Sequence, residues 1–172
     1  EAMLTFGGVK AWEGLRVLSP DACRPFDATR NGMVMGEGAA VFVLEDAAHA
    51  KARGARPLAE IAGFGMTADA GDIVAPSAEG AAAAMRAALA DAGMAAEEVA
   101  YVNAHGTGTA ANDRAEAAAL RQVLGVGVPV GSTKGAHGHA IGATGALELL
   151  ACIAALRDGW IPPTVGCRRP DS

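Results

Sequence analysis

VAYVNAHGTGT, residues 99–109, passes from strand chemistry to loop chemistry at its midpoint. Its first half is apolar and β-prone, so 99–103 reads as a strand. The strand runs straight into His105 and a run of alternating glycine and threonine, which is loop chemistry. A helical pattern follows over 112–124. Downstream the same order recurs: a short strand at 128–131, then Ser132-Thr133-Lys134, a glycine–histidine loop, and a long apolar helix over 140–157. Strands that alternate with helices, and whose polar loops sit at strand carboxyl ends, predict an α/β fold with a buried sheet.

Upstream, Ser77 caps a predicted helix over 77–92 that Gly93 ends as its C′ residue. Its apolar face is mostly alanine, with Met85 and Leu89 as larger anchors, so it must pack close. The apolar runs 39–45 and 58–64 are expected to be buried strands. Asp46 caps a helix over 47–53 that Gly54 ends, and 8–18 reads as an amphipathic helix with Val9, Trp12, Leu15 and Val17/Leu18 near one face.

Composition narrows the function classes. The 172 residues hold 42 alanines and 23 glycines, with 51% hydrophobic and 19% charged residues, which excludes a disordered chain. Three cysteines exclude a disulfide scaffold. A net charge of −5 offers no footprint for nucleic acid or an anionic membrane. The longest apolar run carries Glu148 and is broken by Gly142 and Gly145, so no membrane span is expected. The start lacks a signal peptide's basic region, and the expectation is a soluble, cytoplasmic protein. A chain that opens at Glu1, with no initiator methionine, is expected to be part of a longer polypeptide.

The chemistry concentrates in the two histidine–glycine clusters. His105 sits at a strand end where glycines admit a ligand to the backbone; the plain alternative is a turn histidine satisfied by hydrogen bonds. His139 precedes a long helix, whose N-terminal N–H groups favour an oxyanion and disfavour an imidazolium. A metal site built from His105, His137, His139 and Asp113 is a second reading, but no HExxH or CxxC spacing supports it. Lys134 is outside any GxxxxGK[ST] phosphate loop. Cys23, Cys152 and Cys167 lack the strand-to-helix elbow of a nucleophile.

Together the motifs resemble the β-ketoacyl-[acyl-carrier-protein] synthases. They are Asn103-Ala-His105-Gly-Thr107-Gly-Thr109, then Asn112-Asp113-x-x-Glu116, and Ser132-Thr-Lys134-x-x-x-Gly138-His139-x-x-Gly142-Ala-x-Gly145. Arg24-Pro-Phe-Asp27-x-x-Arg30-x-Gly32-x-x-x-Gly36-Glu-Gly38 and Ile161-Pro-Pro-Thr164 fit in the same order. The resemblance implies a thiolase-like layered α-β-α-β-α sandwich, of which this chain supplies mostly the C-terminal half. Residues 1–38 would follow the nucleophile half, and 39–172 would form the C-terminal half without its last strands.

It also implies a decarboxylative Claisen condensation. An acyl chain on a cysteine is attacked by the enolate that malonyl-acyl-carrier-protein yields on losing CO₂. His105 and His139 look like the catalytic histidines, both stabilising the enolate. Lys134 looks like the motif lysine, with Glu116 as its partner. Asp113 looks structural, capping the helix that begins there. Thr107 and Thr109 resemble the hydroxyls that bind the phosphopantetheine arm. No cofactor or metal is implied for the chain itself; substrates arrive on the phosphopantetheine of acyl carrier protein. The partners implied are acyl carrier protein and a second subunit, in a homodimer or a heterodimer with a related chain.

The cysteine elbow and the terminal glycine-rich segment of the family have no counterpart here. Gly135 replaces a frequent serine and Met33 a usual phenylalanine, departures that bear on substrate preference. His137 falls at a variable position and is left out of the mechanism. Two other readings stay open: a non-catalytic chain-length-factor-type partner subunit, and a metal-dependent hydrolase on an unrelated α/β fold.

Overall fold

Alanine and glycine set the distances between elements. In the computed structural model, which describes residues 4–171, the elements follow one another as α1 (Phe6–Gly14), α2 (Ala47–Ala52), α3 (Ala78–Ala92), β1 (Val102–Asn103), α4 (Ala110–Leu124), β2 (Val130–Gly131), α5 (Lys134–His137) and α6 (Thr144–Asp158). Single 3₁₀ turns lie at Ala96–Glu98 and Ile141–Ala143. β1 and β2 form a parallel pair in which Val102 faces Val130 and Asn103 faces Gly131. α4 is the crossover between them. The core is built of small side chains, with Ala50, Ala82, Ala104, Ala119, Ala140 and Ala143 all buried.

Helix ends follow their local chemistry. Ser77 Oγ accepts the Gly80 N–H at the start of α3, and Gly93 ends the helix in the left-handed region (φ 64°). Asp46 caps α2 through the His49 N–H. The alanine face of α3 does pack close. The backbone at Gly63 and Gly65 lies so near it that an added Cβ would stand 2.5 Å from the Ala88 oxygen and 2.1 Å from the Ala84 oxygen respectively.

Several expectations change. α1 ends at Gly14, because Val17 and Leu18 are drawn into extended pairing with 32–33: Met33 N–H donates to the Val17 oxygen (2.8 Å) and Ser19 N–H to the Met33 oxygen (2.7 Å). The runs 39–45 and 58–64 are neither strands nor buried. Val41, Val43, Leu44, Leu58, Ile61 and Phe64 are exposed. A strand exists only where another strand takes its hydrogen bonds, and among the described residues neither run finds one. β1 and β2 are for the same reason shorter than 99–103 and 128–131.

Helix starts shift too. α4 begins at Ala110 with Thr109 as its N-cap, Oγ1 accepting from Asn112 N–H (3.3 Å); Asp113 therefore does not cap it. The long helix starts at Thr144, and 134–137 forms a separate short helix.

Candidate active site

Four loops meet at the carboxyl ends of β1 and β2: 23–36, 105–109, 132–139 and the strap 161–171. Their meeting is organised by buried polar groups. Asp113 is 1% exposed and accepts from Phe26 N–H (2.8 Å), Gly108 N–H (3.2 Å) and Asn112 Nδ2 (3.2 Å), with the Arg30 guanidinium 3.7 Å away. It thus ties the first loop to the second. Asp27 ties the first loop to the strap, accepting from Arg168 N–H and Arg169 N–H (both 2.8 Å) and from Thr29 N–H (2.7 Å). The Thr29 hydroxyl, together with these backbone donors, holds its carboxyl well below the usual range. Ser132 Oγ closes the second loop onto the third by donating to the Gly106 oxygen (2.8 Å).

His105 is held through its backbone. Its N–H donates to Glu116 Oε1 (2.7 Å), whose Oε2 also takes the Gly106 N–H (2.8 Å), and its carbonyl accepts from Lys134 Nζ. Lys134 is fully buried and forms its ion pair with Glu148 on α6. This corrects the expected Lys134–Glu116 pair. Glu116 holds the two peptide N–H groups that flank His105, and Lys134 holds its carbonyl. Burial pushes the pKa of both Glu116 and Glu148 up, against the pull of backbone N–H groups on the first and of the Lys134 cation on the second.

His139 is held through both backbone and ring. Its N–H donates to the Val34 oxygen (2.7 Å), and its carbonyl accepts from Gly36 N–H (2.9 Å). Ring Nδ1 accepts from Ile141 N–H (3.1 Å) and lies 2.9 Å from Thr144 Oγ1. An atom that accepts an amide hydrogen carries none, so the neutral ring has its proton on Nε2. The two imidazoles stand edge to face, with centroids 5.1 Å apart.

His139 is buried, and its pKa is pushed down to about 4 by that burial, then by Lys134 and His137. His105 is exposed on one side. The protein packed around the rest of its ring, then Lys134 and His139, push it to about 4 as well. Both rings are therefore neutral near pH 7.

Thr107 and Thr109 lie together, their hydroxyls 2.9 Å apart. Thr107 is buried, and its hydroxyl also accepts the Thr109 N–H (3.3 Å). Of the cysteines, Cys23 is buried and donates its Sγ–H to the Thr107 oxygen (3.3 Å). Burial pushes the pKa of all three thiols up, the reverse of an activated nucleophile. His137, His139, His105 and Asp113 do not converge as a ligand set: among the described residues no group of three such side chains could hold a metal ion. Glu148 and Thr144 are site residues that the sequence does not single out, and Asp27 stands in a family motif to which the sequence assigns no role. A lone carboxylate inside an apolar helix was the available signal for Glu148.

A parallel strand pair whose carboxyl-end loops bring two neutral imidazoles near a buried Lys–Glu pair can offer N–H donors to an oxyanion. The chain belongs to the β-ketoacyl synthase family. It matches the family models "Beta-ketoacyl synthase, C-terminal domain" over residues 58–168 and "Beta-ketoacyl synthase, N-terminal domain" over residues 1–50. It is 55% identical to nodulation protein E of Rhizobium leguminosarum bv. trifolii, over 99% of this chain and 43% of that protein. It is 43% identical to 3-oxoacyl-[acyl-carrier-protein] synthase 2 of Vibrio cholerae serotype O1, over 98% of this chain and 42% of that one.

Among solved structures, it matches a type II polyketide ketosynthase in complex with its acyl-carrier protein, bound to the hexaketide. The TM-score is 0.94 at 34% identity, over 99% of this chain and 45% of that chain. The chain therefore has the mixed α/β fold of part of a thiolase-like ketosynthase, and spans under half the length of these relatives. Among the described residues no helix is long and apolar enough to cross a membrane.

Proposed function

We propose that this chain carries the decarboxylating half of a β-ketoacyl synthase site, which condenses an acyl thioester with malonyl-acyl-carrier-protein to give the 3-oxoacyl product. The observation that carries the reading is the pair of neutral imidazoles, one of them locked with its hydrogen on Nε2. When the malonyl carboxylate leaves as CO₂, the electron pair of the broken C–C bond moves onto the thioester oxygen. N–H donors fixed beforehand stabilise that oxygen without reorganising, which is the condition for a large electrostatic effect.

A neutral donor suits this step better than a cation, because a cation beside the malonyl carboxylate would stabilise the ground state as well as the enolate. The enolate carbon then attacks the acyl thioester, and the sulfur of a cysteine outside this chain leaves as thiolate. Lys134, Glu116 and Glu148 hold the donors in place. Thr107 and Thr109 line the phosphopantetheine approach, and Asp113 fixes the loop that carries them. The partners are acyl carrier protein and a second subunit of the same family.

The test is a condensation assay on the full-length polypeptide with acyl- and malonyl-loaded carrier protein. A 3-oxoacyl product two carbons longer is expected. Release of CO₂ with no such product would instead point to the partner-subunit reading, in which the fold persists without the nucleophile.

A further inference from the structure

His137 lies two residues from His139, and both of its ring nitrogens are engaged. Nδ1 lies 2.7 Å from the carbonyl oxygen of Gly138, and Nε2 lies 2.9 Å from Thr133 Oγ1. A carbonyl oxygen only accepts, so the hydrogen of the neutral ring sits on Nδ1, and Nε2 accepts from the Thr133 hydroxyl. His137 is thus the opposite tautomer to His139. Its ring spans α5 from Thr133, the residue before the helix, to Gly138, the residue after it. The Thr133 side chain makes no capping bond to the α5 backbone.

The consequence falls on one peptide group. The Gly138–His139 peptide has its carbonyl held by His137 Nδ1–H and its N–H held by the Val34 oxygen (2.7 Å). Gly138 has φ 74°, the left-handed region where only glycine is relaxed, so it is the natural pivot of this loop. Across the loop, the His137 carbonyl presses on Gly36, where an added Cβ would stand 2.2 Å from that oxygen. Rotation about the pivot would swing His139 away from Ile141 N–H and Thr144. A clamp on that peptide would oppose the rotation.

We propose that His137 is a positioning residue for His139: its ring ties the two ends of α5 and fixes the Gly138–His139 peptide, so that His139 keeps Nδ1 on Ile141 N–H and offers Nε2–H. Its effect on turnover rests on the condensing reading above; the clamp itself does not.

The experiment uses the full-length protein with ¹⁵N-labelled histidine rings, read by NMR, alongside malonyl-carrier-protein decarboxylation. In the unsubstituted protein His137 is expected as the Nδ1–H tautomer and His139 as Nε2–H; the reverse at either ring overturns the proposal, with no variant needed. His137→Asn keeps a donor near the Nδ1 position and is expected to preserve the His139 signals and most of the turnover. His137→Ala and His137→Gln release the Gly138 carbonyl. They are expected to shift the His139 signals toward tautomer averaging and to lower kcat by about tenfold or more with little change in KM.

If His137→Ala left both kcat and the His139 signals unchanged, or if His137→Asn behaved as His137→Ala, the proposal would be wrong. Tautomers as assigned in a protein that does not decarboxylate malonyl thioester would support the clamp and sink the condensing reading instead.

Discussion

His105 and His139 are held by different means, and the difference predicts how each responds to pH and substitution. His139 is gripped at the ring by Ile141 N–H and Thr144, whereas His105 is gripped at its backbone by Glu116 and Lys134. Both have pKa values near 4, below the ordinary value of 6.5. The folded protein then binds fewer protons than the unfolded chain as pH falls from about 6.5 to about 4. Histidine burial therefore removes stability across that window and has no effect above it, a trend that urea unfolding of the full-length protein as a function of pH should show.

Decarboxylation should accordingly hold its rate from pH 7 down to about 5 and fall only near 4, so far as histidine ionisation governs it. Gly135 is a second residue-scale case. An added Cβ would stand 1.9 Å from the Val165 carbonyl oxygen, so close packing of the strap requires glycine there. Gly135→Ser should lower stability by about 1–3 kcal/mol, measured by thermal or urea unfolding.

At the scale of elements, α6 carries the carboxylate that neutralises Lys134, and α4 carries the one that holds the His105 N–H. Lys134 is fully buried, so Glu148→Ala leaves an uncompensated cation inside and should cost about 3–5 kcal/mol of unfolding free energy. Thr109→Ala should cost about 1 kcal/mol through loss of the α4 N-cap, and should also free the Thr107 hydroxyl.

The sequence made these helices easy to read. Ser77, Gly93 and Asp46 act within a few residues of themselves, and local chemistry is what a sequence displays. The partner of Lys134 was not legible, because Glu116 and Glu148 both lie on helices facing the loop and only the packing of α6 chooses between them. Asp113 was misread for a similar reason. An acidic residue in a first turn looks like a cap, but Thr109 already fills that place, and the Asp113 carboxylate reaches across to Phe26 instead.

At the scale of the whole molecule, apolar runs that read as buried strands lie open. Val41, Val43, Leu58, Ile61, Phe64 and Met66 are all exposed, a surface that suits pairing with further chain and not solvent. The 172-residue chain alone should therefore bind a hydrophobic dye and self-associate, measured by fluorescence and light scattering, and should transfer no acyl group. The strand expectation failed there because pairing is a property of two segments, and a sequence pattern describes only one.

On the proposed function, two neutral imidazoles, His105 and His139, stabilise the enolate. The most direct measurement is CO₂ release from malonyl-carrier-protein by the full-length protein carrying His105→Ala or His139→Ala. Each substitution should slow release by about 10²–10³-fold, the loss of one fixed oxyanion donor, while the folded state persists. Release at the unsubstituted rate in both variants would mean that neither imidazole stabilises the enolate.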